Sequence, residues 1–274
     1  HSAEKAIASW EAISKSLEDP SEALEELARL YRKEENYEAL LGVYRTALEH
    51  AHSESERVDD MNAIAQLYLT KLDAREKGIE TLTAMLDIEE GRDDALTQIT
   101  QLRIEAQEWD ELVKLYTGLD KANEVYELLD LAADDVDDDE TQIALYNIMA
   151  KVAHEEIHDD AMAVAAYEKI LDVDATHEET AKKLLHFYRE QGNHAKAIEA
   201  IQIIIAWTSD LEEKIAMHIE IADLFEKELA DIDNAANWYG KAVALAPNRG
   251  ELRKHFEELA LRNESPALVY DRYK

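Results

Sequence analysis

The sequence contains no cysteine and very little glycine or proline. Its seven glycines and three prolines make up about 4% of 274 residues, whereas an average protein has roughly 12%. Without cysteine the chain has no disulfide, no thiol nucleophile and no thiolate metal site. So few turn-forming residues exclude a β sandwich or barrel, a glycine-rich phosphate loop and a collagen-like repeat.

Basic residues and long apolar runs are also scarce. The 29 lysines and arginines face 62 aspartates and glutamates, which gives a formal charge of −33. This charge repels the phosphates of nucleic acids and anionic lipids, so we expect no nucleic acid partner. No run of about 18 apolar residues is present, so we expect no membrane insertion. An apolar content of 46% excludes a disordered acidic tail. We therefore expect a soluble, mostly helical protein; the sequence does not distinguish cytoplasm from periplasm.

A pattern of small and aromatic residues recurs along the chain. A small or apolar residue is followed three positions later by an aromatic or apolar one at seven places, which start at residues 28, 65, 100, 150, 185, 222 and 256. A second triplet follows each of the first six starts, after 12 residues in odd-numbered cases and 13 in even-numbered ones. Each triplet lies on one face of a helix. The pattern predicts six hairpins of two amphipathic helices, which must stack to bury their narrow apolar stripes.

The sixth hairpin, Ile221 to Pro247, resembles a tetratricopeptide repeat, a helix-turn-helix unit of about 34 residues. The residues at the small, aromatic and proline positions of that motif are Ala222, Phe225, Ala235, Tyr239, Ala242 and Pro247. Other hairpins are degenerate: Gly78 and Thr100 are poor matches, and Arg103 stands where an aromatic belongs. The resemblance implies an all-α fold, a right-handed α-solenoid of stacked hairpins, and a non-catalytic role in protein binding.

The resemblance also suggests a domain organisation. Residues 1–20 match the second helix of an incomplete repeat, and residues 21–274 form the repeat array. The array holds about six full hairpins, an extra helical segment near 121–133 and an incomplete C-terminal repeat. We expect one solenoid domain. Because both ends are partial repeats, we also expect a piece of a longer bacterial repeat protein.

In this family the partner-facing stripe lies six and three residues before, and one and four after, the small residue of each first helix. In the fourth and fifth hairpins this stripe carries amide and cationic side chains: Asn147, Lys151, His154, Lys182, His186 and Arg189. They would suit an acidic or carboxylate-bearing peptide or partner domain in a concave groove. The stripe of the first two hairpins supplies secondary candidates: Arg29, Arg32, Asn62 and Gln66. The alternative is that these side chains only balance acids on neighbouring helices.

The sequence therefore predicts a protein interaction scaffold that has no catalytic residues, cofactor or metal. A second hypothesis is a structural array that self-assembles through its terminal hairpins, with another copy of the chain as partner. A third, remote hypothesis is a zinc metallohydrolase, because residues 154–158 read HEEIH. Two histidines four apart on a helix can bind zinc, with the glutamate as general base.

Overall fold

The computed structural model describes residues 2–262, which form fifteen α-helices and no strand. The helices are α1 Ser2–Ser14, α2 Ser21–Lys33, α3 Tyr37–His50, α4 Glu54–Thr70, α5 Arg75–Met85, α6 Arg92–Glu105, α7 Trp109–Gly118, α8 Ala122–Asp134, α9 Asp139–Val152, α10 Asp160–Val173, α11 Glu178–Glu190, α12 His194–Trp207, α13 Leu211–Lys227, α14 Ile232–Leu245 and α15 Gly250–Arg262. A 3₁₀ turn, Glu89–Gly91, precedes α6, and a π-helical turn, Ala153–Ile157, follows α9. The all-α prediction is confirmed, and the six hairpins begin at α2, α4, α6, α9, α11 and α13. The predicted C-terminal partial repeat around Pro266 lies outside the described residues.

Short polar side chains mark many of the helix starts. Asn36 caps α3, Ser53 caps α4 and Asp138 caps α9, each by accepting a hydrogen bond from a backbone N–H of the first turn. Such a cap typically contributes about 1 kcal/mol. Asp138 belongs to the acidic run before α9, so part of the excess negative charge serves helix initiation. Within residues 2–262 no helix is long and apolar enough to cross a membrane.

The chain divides into two compact units, His1–Leu112 and Val113–Lys274. In the first unit each helix from α1 to α6 packs against the next, and in the second the same holds from α8 to α15, with the π-helical turn adding contacts beside α9. Helix α8 lies where the sequence places an extra helical segment. The expectation of a single solenoid domain stays a prediction.

The core of the first unit is built from facing stripes of α2, α3 and α4. Leu27 of α2, Leu40 of α3 and Ile64 of α4 are at most 4% exposed and belong to one apolar cluster. Burying each of these side chains contributes roughly 1.5–3 kcal/mol. The second unit has two further clusters. One is centred on Leu184 and Ile201, and the other lies between α13, α14 and α15.

Every hairpin turn in the described chain contains a residue with positive φ. These residues are Glu35, Asp73, Gln107, His158, Gly192 and Ala230, with φ between 48° and 65°. A left-handed residue stops the first helix and lets the chain reverse. Only one of the six is glycine, so the scarcity of glycine leaves five side chains in a conformation that costs roughly 1 kcal/mol or more.

The turns come in two lengths that alternate along the chain. In the first hairpin the backbone N–H of Asn36 donates to the carbonyl of Tyr31, five residues earlier, at 3.0 Å. In the fourth, the N–H of Asp159 donates to the carbonyl of Ala153, six residues earlier, at 2.9 Å. The third and fifth hairpins close like the first, and the second and sixth like the fourth. This difference of one residue accounts for the alternation of 12 and 13 residues in the sequence.

Two residues that depart from the repeat pattern are explained by their contacts. A Cβ atom on Gly78 would lie 2.6 Å from Cγ of Leu69, so α5 approaches α4 too closely for a side chain there. Arg103, in place of an aromatic residue, forms an ion pair with Glu108, which also accepts hydrogen bonds of 2.8 and 2.9 Å from Arg75. The two guanidinium groups lower the pKa of Glu108 to about 2.

Candidate functional site

The six primary candidate residues lie on two neighbouring first helices of the second compact unit. We call them the α9–α11 surface: Asn147, Lys151, His154, Lys182, His186 and Arg189. Lys183 of α11 donates a hydrogen bond of 3.1 Å to the side-chain oxygen of Asn147. The rings of His154 and His186 lie 5.8 and 5.9 Å from the ring of Phe187. The fold therefore brings these residues to one surface, where Phe187 lies close to both histidines.

Each cationic or histidine side chain of the α9–α11 surface lies beside a carboxylate. The pairs are Lys151 with Glu155 at 3.9 Å, His154 with Asp160 at 2.6 Å, Lys182 with Glu178 at 2.6 Å, His186 with Glu190 at 3.5 Å and Arg189 with Glu220 at 2.5 Å. The basic partners are all more than half exposed, and such pairs are worth about 0–1 kcal/mol. The surface is thus nearly neutral, and its cations can exchange partners at little cost.

The HEEIH segment does not form one continuous α-helix. His154 lies in the π-helical turn, and His158 is the left-handed residue of the fourth hairpin turn, with φ of 60°. The i and i+4 geometry that places two histidines on one zinc ion is therefore absent from this segment. No group of three or more histidine, aspartate or glutamate side chains suited to a metal ion occurs in the described part of the chain.

A second candidate surface is a groove in the first compact unit between α2, α3 and α4. It encloses about 570 Å³, within the roughly 300–1,000 Å³ of typical ligand pockets. We call it the α2–α4 groove; its lining residues are Ser21, Leu24, Glu25, Ala28, Arg29, Arg32, Val43, Tyr44, Ala47, His50, Ala51, Glu56, Asp59 and Asp60. Apolar side chains of α2 and α3 form much of its lining, and the polar side chains come chiefly from α2 and α4.

The four secondary candidates divide between this groove and a neighbouring network. Arg29 and Arg32 line the α2–α4 groove. Gln66 lines an adjoining cavity of about 390 Å³, which also includes Arg32. The side chains of Asn62 and Gln66 both hydrogen-bond to Gln98 of α6, at 3.0 and 2.9 Å. The amide pair thus links α4 to α6, while the two arginines remain at the groove.

The groove has basic residues on α2 and acidic residues on α4. Arg29 forms an ion pair of 2.7 Å with Glu26 on its own helix, and Arg32 donates a hydrogen bond to the hydroxyl of Tyr44. Within residues 2–262 the carboxylates of Asp59 and Asp60 form no hydrogen bond or ion pair. Burial, followed by repulsion from Asp59 and Glu56, raises the pKa of Asp60 to about 6.

Sequence reasoning missed the acidic side of this groove, since it looked for cations in an acidic chain. The family stripe did include Asp59 among its positions. Asp60 could not be singled out, because its half-buried position depends on how α4 packs against α3. The cavity itself has no sequence signal, because it results from the packing of three helices.

The stacked hairpins and their grooves define a class, the helical-repeat proteins. The tetratricopeptide repeat family model matches residues 23–80, which include most of α2 and all of α3 and α4. The chain is thus an all-helical repeat array with tetratricopeptide repeats, and the predicted family is confirmed.

Solved structures of other repeat proteins resemble the chain. The pilF protein of Pseudomonas aeruginosa has 17% identity, with 94% of this chain and 100% of that chain covered and a TM-score of 0.31. The C-terminal part of a TPR repeat-containing protein from Cytophaga hutchinsonii has 10% identity, with coverage of 92% and 93% and a TM-score of 0.33. The TPR domain of P58(IPK) has 15% identity, with coverage of 92% and 68% and a TM-score of 0.33. No curated protein matches the chain.

Proposed function

We propose that the chain is a non-catalytic scaffold that binds a peptide segment of a partner protein in the α2–α4 groove. The observation that carries this proposal is the groove itself, a cavity of about 570 Å³ with an apolar lining and polar edges. The groove is bounded by capped, well-packed helices, so the protein loses little conformational freedom on binding. The ordering cost falls on the peptide alone.

The test of this proposal is a variant that fills the groove. Ala47 lines the groove from α3, so Ala47→Trp places an indole where the peptide would lie. The matched control is Glu49→Trp, because Glu49 is exposed on the same helix and does not line the cavity. Peptides of twelve residues would be selected from a displayed library on the wild-type protein.

We expect selected peptides to lose at least about tenfold in affinity for Ala47→Trp and less than twofold for Glu49→Trp, with both variants keeping the wild-type circular dichroism spectrum. Equal binding to both variants, or no selected peptide at all, would refute the groove as the binding site.

A second candidate is that the α9–α11 surface binds an acidic or carboxylate-bearing peptide. Its support is that all its cations are exposed and held only by weak pairs, so a ligand carboxylate can replace an internal one. The double variant Lys182→Glu and Arg189→Glu should abolish binding of a glutamate-rich peptide probe. The double variant Lys182→Gln and Arg189→Gln should give an intermediate loss. If both variants bind the probe as the wild type does, this candidate is wrong.

A further inference from the structure

The α2–α4 groove also contains features that select the chemistry of its occupant. Leu24, Ala28 and Val43 are less than 9% exposed and contribute apolar surface to the lining. This lining can accept an apolar side chain of a peptide. The volume leaves room for a second, longer side chain beside it.

The charges on the lining are unequal. Four carboxylates line the groove, and the lysines and arginines among the lining residues number two. Both arginines already have partners, Glu26 for Arg29 and the Tyr44 hydroxyl for Arg32. In the described chain Asp59 and Asp60 form no such interactions. The unused electrostatic capacity of the groove is therefore negative.

The two aspartates are held in an unfavourable arrangement in the absence of a cation. Asp60 is half-buried, and its ionised form is opposed by burial and by the charges of Asp59 and Glu56. A lysine ammonium or an arginine guanidinium placed beside them would relieve this repulsion and form charge-assisted hydrogen bonds, which are the stronger kind. A carboxylate in the same place would add to the repulsion.

We infer that the α2–α4 groove takes a peptide segment in which a lysine or arginine contacts Asp59 and Asp60 while a neighbouring apolar side chain packs against Leu24 and Val43. This inference rests on the proposed function of the groove and names the class of peptide. It assigns the first compact unit a basic ligand, opposite in charge to the acidic ligand proposed for the α9–α11 surface.

The test uses the same twelve-residue peptides and a pair of matched charge variants. The first variant is Asp59→Asn with Asp60→Asn. The control is Asp93→Asn with Asp94→Asn, which removes the same two charges from exposed positions at the start of α6. Affinities are measured by fluorescence anisotropy at low and at physiological salt, for each selected peptide and for versions with its lysine or arginine changed to alanine or glutamate.

We expect the selected peptides to be enriched in lysine or arginine next to an apolar residue. Loss of both groove aspartates should weaken binding at least about tenfold, and the control pair less than twofold. The change to alanine should weaken binding of the wild type, and the change to glutamate should weaken it further.

The possible failures are distinguishable. Peptides that Ala47→Trp blocks, but that lack basic residues or bind the Asp59→Asn, Asp60→Asn variant as well as the wild type, would overturn the basic class and leave groove binding intact. Peptides that Ala47→Trp does not block would overturn the groove and the inference together. Enrichment of acidic peptides in the groove would also overturn the inference.

Discussion

The close approach of α5 to α4 at Gly78 allows a sharp test of the packing. Replacing this glycine by alanine introduces a Cβ atom 2.6 Å from Cγ and 2.7 Å from Cδ2 of Leu69. Real Cβ atoms do not approach carbon so closely, so Leu69 or the helix must move. Forcing an extra methyl group into a packed interface typically costs about 1–3 kcal/mol.

A second helical glycine provides the matched control. Gly42 lies in α3, where an added Cβ would meet no atom within 4 Å. Both substitutions gain the same helix propensity, because alanine is favoured over glycine by about 1 kcal/mol. We therefore expect Gly42→Ala to stabilise the protein by about 1 kcal/mol and Gly78→Ala to leave it unchanged or destabilise it by up to about 2 kcal/mol. The difference between the two variants isolates the steric cost at Leu69.

The measurement is urea unfolding followed by circular dichroism, with both variants and the wild type in one buffer. Midpoints are compared at a common slope, because helical repeat arrays can unfold in more than one step. A third variant, Gly78→Ala with Leu69→Ala, removes the clashing atoms and should recover part of the lost stability. The reasoning fails if Gly42→Ala and Gly78→Ala shift the midpoint equally, since both would then reflect propensity alone.

Three further predictions concern charge and backbone strain. Because the raised pKa of Asp60 favours its protonated form in the folded state, its stabilising contribution is complete below pH 3.8 and is lost as the pH rises through about 6. The full difference would amount to roughly 3 kcal/mol, and solvent screening of this half-exposed group reduces it to about 1 kcal/mol; Asp60→Asn should thus stabilise the protein by that amount at pH 7 and have no effect at pH 4, as measured by urea unfolding. Glu108→Gln should lower the melting temperature at pH 7 more than Glu105→Gln does, because Glu108 is paired with two arginines; equal shifts would contradict the pairing. Ala230→Gly should raise stability by roughly 1 kcal/mol because φ of 52° is left-handed, whereas Ala51→Gly, at φ of −61°, should lower it.

The first of these predictions bears on function as well as stability. A substitution at Asp60 that strengthens the fold and weakens peptide binding cannot act by unfolding the groove. Residues that lower stability in the free protein are typical of binding sites, where the ligand supplies the missing interaction. The combination of both effects would therefore support a basic ligand independently of the selected peptides.

Much of the fold could be predicted because each hairpin repeats the same local signals. Anchors such as Ala222 and Tyr239 place a small or aromatic side chain at every helix contact, and their spacing of 3 and 4 residues is a direct property of the helix. The geometry of the turns could not be predicted. Left-handed residues such as Glu35 and Ala230 carry no glycine signal and are fixed by the hydrogen bonds that close the turn.

The candidate site was less predictable, for two different reasons. The partner of Lys182 stands four residues earlier on its own helix, at Glu178, and the i, i+4 rule could have revealed that pair. The partner of Arg189 is Glu220 on α13, 31 residues away, and only packing brings them together. Cations on a first-helix stripe therefore do not by themselves indicate a free positive groove.

The alternating turns have a consequence for how such a chain can change length. One residue added within an α-helix rotates everything beyond it by about 100° and would turn buried side chains outward. The same residue added in a hairpin turn only exchanges one closing hydrogen bond for the other, as in the turns that end at Asn36 and Asp159. Insertions and deletions are thus tolerated at these six turns and opposed in the helices. Duplication of a pair of hairpins, rather than of one, would lengthen the array while preserving the order of its two turn types.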